Sequence, residues 1–310
     1  MTALICGSVA YDNIMVFEDS FKNHILPDKI HILNVAFLVP QLRREFGGCA
    51  ANIAYNLRLL GDDPLPMATV GQDFAPYRDW LERKHIHTGH IRVLDGVFTA
   101  QAFITTDLDD NQITAFHPGA MNFAELNKIS DATGVKLGMV SPDGRTGMIE
   151  HAAQFAEAEI PFVFDPGQGL PMFDGKDLRR FVEQATWVTV NDYEWQLLKD
   201  RTGWDVADVL KHVEALIVTR GAEGSIIYTA KEQLAIPTAK PKAVEDPTGC
   251  GDAYRAGLLY GLLRELDWET TGRIASLMGA LKIECHGTQN HSFTLDEFKR
   301  RYKSSFHRSL

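Results

Sequence analysis

The chain has 310 residues, of which 45% are hydrophobic and 23% charged, the composition of an ordinary globular protein. Its formal net charge of −10 argues against a nucleic-acid-binding face, which would need clustered lysine and arginine. The sequence contains no apolar run of membrane-spanning length, no signal-peptide pattern at its start and no paired cysteines among its four. We therefore expect a cytoplasmic protein without nucleic-acid or membrane partners, disulfides or zinc.

The first part of the chain predicts a strand, a helix and a separate β module. Leu4–Val9 is a short apolar run that suits a central strand. Residues 10–46 and 93–120 instead contain turn residues and short alternating segments. The strand-like segments are Ile30–Val39, Val97–Thr106 and Gln112–His117. We interpret these two stretches as a small β-sheet module. Between them, Gly48–Leu60 has helical periodicity and ends at Gly61, which suits a C-cap.

From residue 135 onward, short apolar strands alternate with helical segments such as Arg145–Ala158 and Asp177–Ala185. The predicted strands are Val135–Val140, Pro161–Asp165, Trp187–Val190, Ala215–Thr219 and Ser225–Tyr228. This alternation predicts a parallel sheet covered by helices on both faces, in a main body formed by residues 1–9, 47–92 and 121–310. Ligands of such sheets bind at the carboxyl ends of the strands. That rule places one set of residues along a single rim: Gly7, Ser8, Asp165, Asn191, Thr219 and 246–252.

Residues 246–252 read Asp-Pro-Thr-Gly-Cys-Gly-Asp and run into an apolar helical pattern over 253–263. Small residues at a loop-to-helix junction leave backbone N–H groups uncovered, and the helix dipole attracts anions there. A carboxylate beside an anion site makes chemical sense if Asp252 takes a proton from a hydroxyl while the amides hold a phosphoryl group that leaves ATP. The alternative is that Asp252 only caps the helix. The same helix N-terminus would lower the pKa of Cys250.

Two further segments carry groups that suit a sugar or ribose. Residues 47–52 (Gly-Gly-Cys-Ala-Ala-Asn) open the first long helix, where the glycines allow close approach of a ligand and Asn52 supplies a donor and an acceptor. A plain tight turn is the alternative. Asp12 follows the first strand and could accept hydrogen bonds from two vicinal hydroxyls, or could simply form a turn.

Two strand ends carry groups that suit nucleotide phosphates. Asn191 and Glu194 could organise water around Mg²⁺, which keeps several waters in proteins, or could form only a helix capping box. The segment Thr219–Gly224 offers glycines and Arg220 to a triphosphate, although a hairpin turn explains its glycines equally well.

The order and spacing of these segments resemble the ribokinase-like (PfkB) family of carbohydrate and nucleoside kinases over essentially the whole chain. Residues 47–52 and 246–252 look like the two diagnostic motifs of that family, and Asn191-x-x-Glu194 looks like its magnesium and phosphate motif. Several segments are similar to the bacterial adenosine kinase and broad-specificity nucleoside kinase branch: 26–48, Phe116–Met121, Asn191–Trp195 and Gly287–Asn290.

The resemblance implies a Rossmann-like α/β three-layer sandwich with the β module as a lid, which would also form a homodimer contact. It implies transfer of the γ-phosphate of ATP to the ribose 5′-hydroxyl of a purine nucleoside, adenosine first and inosine or guanosine next, with Asp252 as the general base. The amides that stabilise the transferred group would belong to Gly249, Cys250 and Gly251. The substrate residues would be Ser8, Asp12, Gly47, Gly48, Asn52, Phe116 and Gln168. The nucleotide residues would be Asn191, Glu194, Thr219, Arg220, Gly221 and Gly224. Glu194 would hold Mg²⁺ through water, and Asp246 and Thr248 would hold K⁺.

Some positions depart from the family pattern. Pro247 and Cys250 replace the threonine and alanine usual in sugar kinases, which points away from the ribokinase branch. Ala102 stands where similar adenosine kinases carry an aromatic residue, and its neighbour Phe103 would face the other side of a strand. The loss of one stacking wall would loosen selection of the base.

Three rival functions remain. A ribokinase- or fructokinase-type sugar kinase on the same fold would keep Asp252 and Asp12 but would not need Phe116 over its substrate. A binding module without catalysis is opposed by Asp252 and the intact glycine loop. A dinucleotide-dependent oxidoreductase is opposed by the lack of a G-x-G-x-x-G pattern after the first strand.

Overall fold

The computed structural model describes residues 2–25, 34–109 and 111–310. The strands in these ranges are β1 (Ala3–Cys6), β2 (Ala10–Val16), β3 (Gln41–Gly47), β4 (Leu65–Gly71), β5 (Ile91–Leu94), β6 (Ala100–Thr106), β7 (Gln112–His117), β8 (Leu137–Val140), β9 (Phe162–Phe164), β10 (Trp187–Asn191), β11 (Ala215–Thr219), β12 (Ser225–Thr229) and β13 (Gln233–Ile236). The helices are α1 (Cys49–Leu59), α2 (Ala75–Arg83), α3 (Arg145–Glu157), α4 (Gly175–Gln184), α5 (Asp192–Thr202), α6 (Val206–Val209), α7 (Cys250–Leu263), α8 (Trp268–Ile283) and α9 (Leu295–Phe306).

Nine strands form the large sheet, in the order β13-β12-β11-β10-β9-β8-β1-β4-β5. The seven strands from β11 to β5 are mutually parallel, as the alternation of strands and helices predicts. The prediction of a wholly parallel sheet is wrong at one edge, because β12 and β13 run antiparallel to their neighbours. Residues 220–224 are too few for the crossover that parallel strands need, so β11 and β12 form a hairpin.

Helices cover both faces of this sheet. Along β1, Ala3 and Ile5 point into a core shared with α1, α2, α7 and α8, whereas Leu4 and Cys6 point into a second core shared with α3, α4 and α5. All four side chains are almost completely buried. The uninterrupted apolar character of this strand is what a strand buried on both faces requires, and the predicted three-layer sandwich is confirmed.

None of the helices in the described ranges has both the length and the apolar character needed to cross a membrane.

The small β module, for which we keep the name lid, is a four-stranded sheet in the order β3-β2-β6-β7. The predicted strand at Gln112–His117 is confirmed, and the one at Val97–Thr106 begins at Ala100. The predicted strand at Ile30–Val39 is wrong over residues 34–39, which are not in a strand, and its first part lies outside the described residues. The strand next to β2 at this edge of the sheet is β3 instead, which is rich in charged residues. Residues 93 and 94, which the sequence assigns to the lid, pair with β4 in the large sheet.

Candidate active site

The N-terminus of α7 lies at the carboxyl rim of the parallel strands and presents uncovered amides. Gly249 is the N-cap residue with φ +79°, and a side chain there would come within 3.0 Å of Thr288. The Cys250 amide donates to the Pro247 carbonyl at 3.2 Å, so one of the three amides assigned to the phosphoryl group is already used within the turn. The amides of Gly249 and Gly251 have no acceptor within the described part of the chain, which leaves them able to bind an anion.

Asp252 lies in the first turn of α7, and Asn52 holds its carboxylate. The Asn52 side-chain amide donates to its carboxylate at 2.8 Å. Burial raises the pKa of Asp252 to about 6, even though the hydrogen bond from Asn52 and the charge of Arg255 lower it. A carboxylate whose pKa is raised toward neutrality is a stronger proton acceptor than an ordinary aspartate and is still ionised at pH 7.

Asn52 is fixed from its other end by Gln289. The Gln289 side-chain amide donates to the Asn52 carbonyl oxygen at 2.9 Å and to the Tyr77 hydroxyl at 2.7 Å. The Gln289 carbonyl oxygen accepts a hydrogen bond from the Trp80 indole at 2.9 Å. Both ends of Asn52 are therefore used to orient Asp252. The sequence predicted that Asn52 binds the ribose. It did not single out Gln289, although that residue lies in Gly287–Asn290, one of the segments similar to the nucleoside kinase branch.

Asp12 lies within β2, so the alternative that it forms a turn is wrong. Burial, together with the charges of Glu45 and Asp246, raises its pKa to about 6. A side chain at Gly47 would lie only 2.5 Å from the Asp12 carboxylate, which explains the glycine there.

Gly48 and Ser8 shape the start of α1. Gly48 has φ +90°, and a side chain there would come within 2.6 Å of the Ser8 carbonyl oxygen and the Ala10 nitrogen. The Ser8 hydroxyl accepts a hydrogen bond from the Cys49 amide at 3.1 Å. The glycine pair thus brings the end of β1, the lid strand β2 and the start of α1 into close contact.

Three lid residues share one face of the small sheet. Asp12 is paired with Ala102, and Ala102 is paired with Phe116, so the three side chains form a row across the strands. Phe103, one position along β6, lies on the other face, as the sequence predicts. Phe116 is 48% exposed. The row therefore places an aromatic ring two strands away from the Asp12 carboxylate, with only a methyl side chain between them.

A buried ion pair lies behind Asp252. The Arg255 guanidinium binds both carboxylate oxygens of Asp165 at 3.0 Å and lies 4.0 Å from the Glu194 carboxylate. The Arg255 and Asp165 side chains are 7% and 5% exposed. Asp165 was predicted at the rim, but the sequence interpretation missed Arg255. The signal was present, since a lone arginine stands in the apolar pattern of α7, one turn after Asp252.

Asn191 and Glu194 form the capping box that was the structural alternative. The Asn191 side-chain oxygen accepts from the Glu194 amide at 2.7 Å, and the Glu194 carboxylate accepts from the Asn191 amide at 2.7 Å. Burial raises the pKa of Glu194, against the effect of Arg255. The hard carboxylate oxygens fit Mg²⁺, and because Asn191 already donates to both of them, water-mediated binding fits better than direct ligation.

The segment after β11 is a hairpin turn. The Arg220 guanidinium lies 3.4 Å from the carboxylate of Glu223 in the same turn. Gly221 and Gly224 have φ +54° and +83°, and a side chain at Gly224 would clash with the Ile236 carbonyl. The Thr219 hydroxyl donates to the Val190 carbonyl at 3.4 Å, which keeps the turn beside the end of β10.

Gln168 follows the end of β9, three residues after Asp165. It is exposed on a 3₁₀ helix, Gly167–Met172, and its side chain makes no hydrogen bond within the described ranges. The substrate role of Gln168 stays a prediction.

Asp246 organises the loop that precedes α7. Its carboxylate accepts hydrogen bonds from the amides of Thr248 and Gly287, both at 2.8 Å. Burial raises the pKa of Asp246, but these bonds and the charge of Lys282 outweigh burial and hold it below its ordinary value.

The expectation of a lowered pKa at Cys250 is wrong, because burial raises the pKa of that thiol to about 11.

Comparisons with known proteins find similar sequences and similar folds. A sequence model described as pfkB family carbohydrate kinase matches residues 12–294. The nucleoside kinase of Methanocaldococcus jannaschii is 33% identical over 267 residues, which cover 85% of this chain and 87% of that protein. The structure of Burkholderia thailandensis nucleoside kinase in complex with inosine matches with a TM-score of 0.90 and 51% identity over 99% of both chains. Its complex with ADP-inosine matches with a TM-score of 0.88 and 52% identity, over 99% of this chain and 97% of that chain.

Proposed function

The chain belongs to the pfkB family of carbohydrate kinases, and on that basis we propose that it is a nucleoside kinase that transfers the γ-phosphate of ATP to the ribose 5′-hydroxyl of purine nucleosides. The observation that carries the proposal is Asp252, a carboxylate with a raised pKa that is held by Asn52 next to the uncovered amides of Gly249 and Gly251. A base and an anion site on one helix turn provide the two functions that phosphoryl transfer to a hydroxyl requires.

In this mechanism the 5′-hydroxyl of the nucleoside lies against Asp252, which accepts its proton as the oxygen attacks the γ-phosphorus. The amides of Gly249 and Gly251, and the positive end of α7, stabilise the negative charge on the transferred group. Asp12 accepts hydrogen bonds from the ribose 2′- and 3′-hydroxyls. The phosphates of ATP lie along Thr219–Gly224, next to Asn191 and Glu194. Mg²⁺ bound with ATP supplies charge neutralisation of the phosphates.

The nucleoside class is supported by the lid. Phe116 lies in the same row as Asp12, so an aromatic ring is available to cover a base attached to a ribose that Asp12 holds. A free sugar would leave that ring without a partner. The inosine complex of the similar Burkholderia thailandensis enzyme is consistent with a purine in this place. Because ATP is the phosphate donor, we propose the cytoplasm as the compartment.

We also propose a homodimer formed through the lid. The face of the small sheet opposite to Asp12 carries Leu42, Phe103 and Ile113, which are 65%, 41% and 45% exposed. A cluster of exposed apolar side chains on a sheet is the usual mark of a protein–protein contact.

A panel of acceptors tests the substrate class. With ATP and Mg²⁺, we expect turnover of adenosine, inosine and guanosine, with kcat/KM values within about 10²-fold of one another because Ala102 contributes no stacking wall. Ribose and fructose serve as controls and should give no turnover. An Ala102→Phe variant should spread the three kcat/KM values further apart. Turnover of the free sugars alone would assign the chain to the sugar-kinase branch, and strict adenosine preference would remove the role given to Ala102.

The raised pKa of Asp252 predicts an acidic limit to activity. The base must be ionised to accept a proton, so kcat/KM should fall about tenfold per unit as the pH drops below about 6 and should level off above it. The measurement is the pH profile of kcat/KM at low nucleoside concentration. Asp12 also has a pKa of about 6, so an Asp12→Asn variant is the control. The acidic limb should persist in that variant, and a profile that is flat through pH 6 would contradict the assignment of Asp252 as the base.

A further inference from the structure

Lys282, in the last turn of α8, has a fully buried side chain. Its ammonium donates to the main-chain carbonyl of Asp246 at 2.7 Å and to that of Cys285 at 3.0 Å. The Asp246 carboxylate lies 3.9 Å away. A cation is therefore already surrounded by two carbonyl oxygens and one carboxylate, directly beneath the loop that leads into the N-terminus of α7.

These are the ligands that K⁺ takes in proteins, where carbonyl oxygens replace its water shell. The family resemblance implies K⁺ at Asp246 and Thr248, but the residues present do not fit a free ion there. The main-chain oxygen of Asp246 already accepts a hydrogen bond from an ammonium, and its two carboxylate oxygens accept from the amides of Thr248 and Gly287. A second cation beside Lys282 would also be repelled by its charge.

We propose that the ammonium of Lys282 takes the place of a monovalent cation in this protein, so that its active-site loop is ordered without K⁺. The part of the proposal that concerns turnover rests on the proposed function, whereas the part that concerns the loop does not.

The contacts of the loop show how the ammonium would act. Lys282 ties the first residue of the segment 246–252 to the turn after α8, and the amide of Gly287 in that same turn binds the Asp246 carboxylate. Thr288, the next residue, packs against Gly249 at the N-cap of α7. The ammonium thus fixes both segments that define the position of the uncovered amides.

The other charged and titratable groups around Lys282 are consistent with this role. Burial lowers its pKa, and the charge of Asp246 opposes that shift. Burial and the charge of Lys282 together lower the pKa of His291 to about 4, so that imidazole stays neutral near pH 7 and brings no second positive charge. Asp246 is then the nearby counter-charge that favours the ammonium form.

The first test uses the unmodified protein. Its thermal midpoint and its kcat/KM are measured in potassium chloride and in tetramethylammonium chloride of equal ionic strength. We expect both quantities to be the same in the two salts. A midpoint that rises with K⁺, or turnover that saturates with K⁺, would overturn the proposal, and the midpoint is informative whether or not the protein phosphorylates nucleosides.

The second test replaces the ammonium. Lys282→Met keeps an unbranched side chain, shorter by the one nitrogen that carries the charge, so in tetramethylammonium chloride we expect kcat to fall by about 10²-fold through misplacement of the loop. Potassium chloride should restore part of the activity and raise the thermal midpoint of this variant only. Lys211→Met, at an exposed lysine on the far side of the sheet, is the matched control and should respond to neither salt. A Lys282→Met protein with full activity in both salts would overturn the proposal.

Discussion

Replacing Asp252 with asparagine should lower kcat for nucleoside phosphorylation by about 10²- to 10⁴-fold, the usual contribution of a general base. Asparagine has almost the same shape and can still meet the Asn52 side chain after a flip of its amide, but it cannot accept a proton. The nucleoside dissociation constant should therefore change little. The experiment compares kcat and nucleoside binding by calorimetry in the variant and the unmodified protein.

The control for this prediction is Asp296→Asn, at an exposed aspartate in the first turn of α9, which removes one negative charge far from the site. It should leave kcat unchanged. If Asp252→Asn kept more than about a tenth of the activity, the hydroxyl proton would have to leave by another route, and the role assigned to Asp252 would be wrong.

The largest stability effect should come from the buried pair Arg255–Asp165. Removing either partner leaves the other charge buried without compensation, which typically costs about 3–5 kcal/mol of unfolding free energy. We expect Arg255→Met and Asp165→Leu to fall in this range by urea denaturation. Arg145→Met, which breaks a half-exposed pair with Asp177, is the control and should cost less than about 1 kcal/mol.

The double variant Arg255→Met/Asp165→Leu separates folding from catalysis. With both charges gone, stability should recover relative to either single variant. Activity near pH 6 should not recover, because the charge of Arg255 lowers the pKa of Asp252 by more than the charge of Asp165 raises it. The acidic limb of kcat/KM should move to higher pH in Arg255→Met and, by a smaller amount, in the double variant, which also loses the Asp165 charge that raises the pKa of Asp252. A limb that stays in place would show that Arg255 only holds the fold together.

The general architecture could be predicted from the sequence because its signals are local. Apolar runs such as Leu4–Val9 and the periodicity of Gly48–Leu60 predicted strands and helices close to those observed, and Asp252 was placed at a helix start. The lid was harder, since its edge strand β3 carries Arg43, Arg44 and Glu45. Charged residues are common on edge strands, where they prevent pairing with other sheets, but in a sequence they are typical of a loop.

The contacts that hold the site together could not be predicted, because they join distant parts of the chain. Asn52 and Asp252 are 200 residues apart, and Asn52 and Gln289 are 237 residues apart. Lys282 illustrates the limit most clearly, since a lysine in the last turn of a helix is ordinarily exposed and interacts with the helix dipole. Only the fold shows that its side chain is buried among carbonyl oxygens.

The central claim is tested most directly by identifying the product made from ATP and inosine. The phosphorus resonance of the product, recorded with coupling to protons, reports which carbon carries the phosphate. Transfer to the 5′-hydroxyl predicts a phosphorus split by the two 5′-methylene protons, and this signal should grow about 10²- to 10⁴-fold more slowly with Asp252→Asn. A phosphate on another hydroxyl, or ATP hydrolysis without any nucleotide product from inosine, would contradict the proposed reaction.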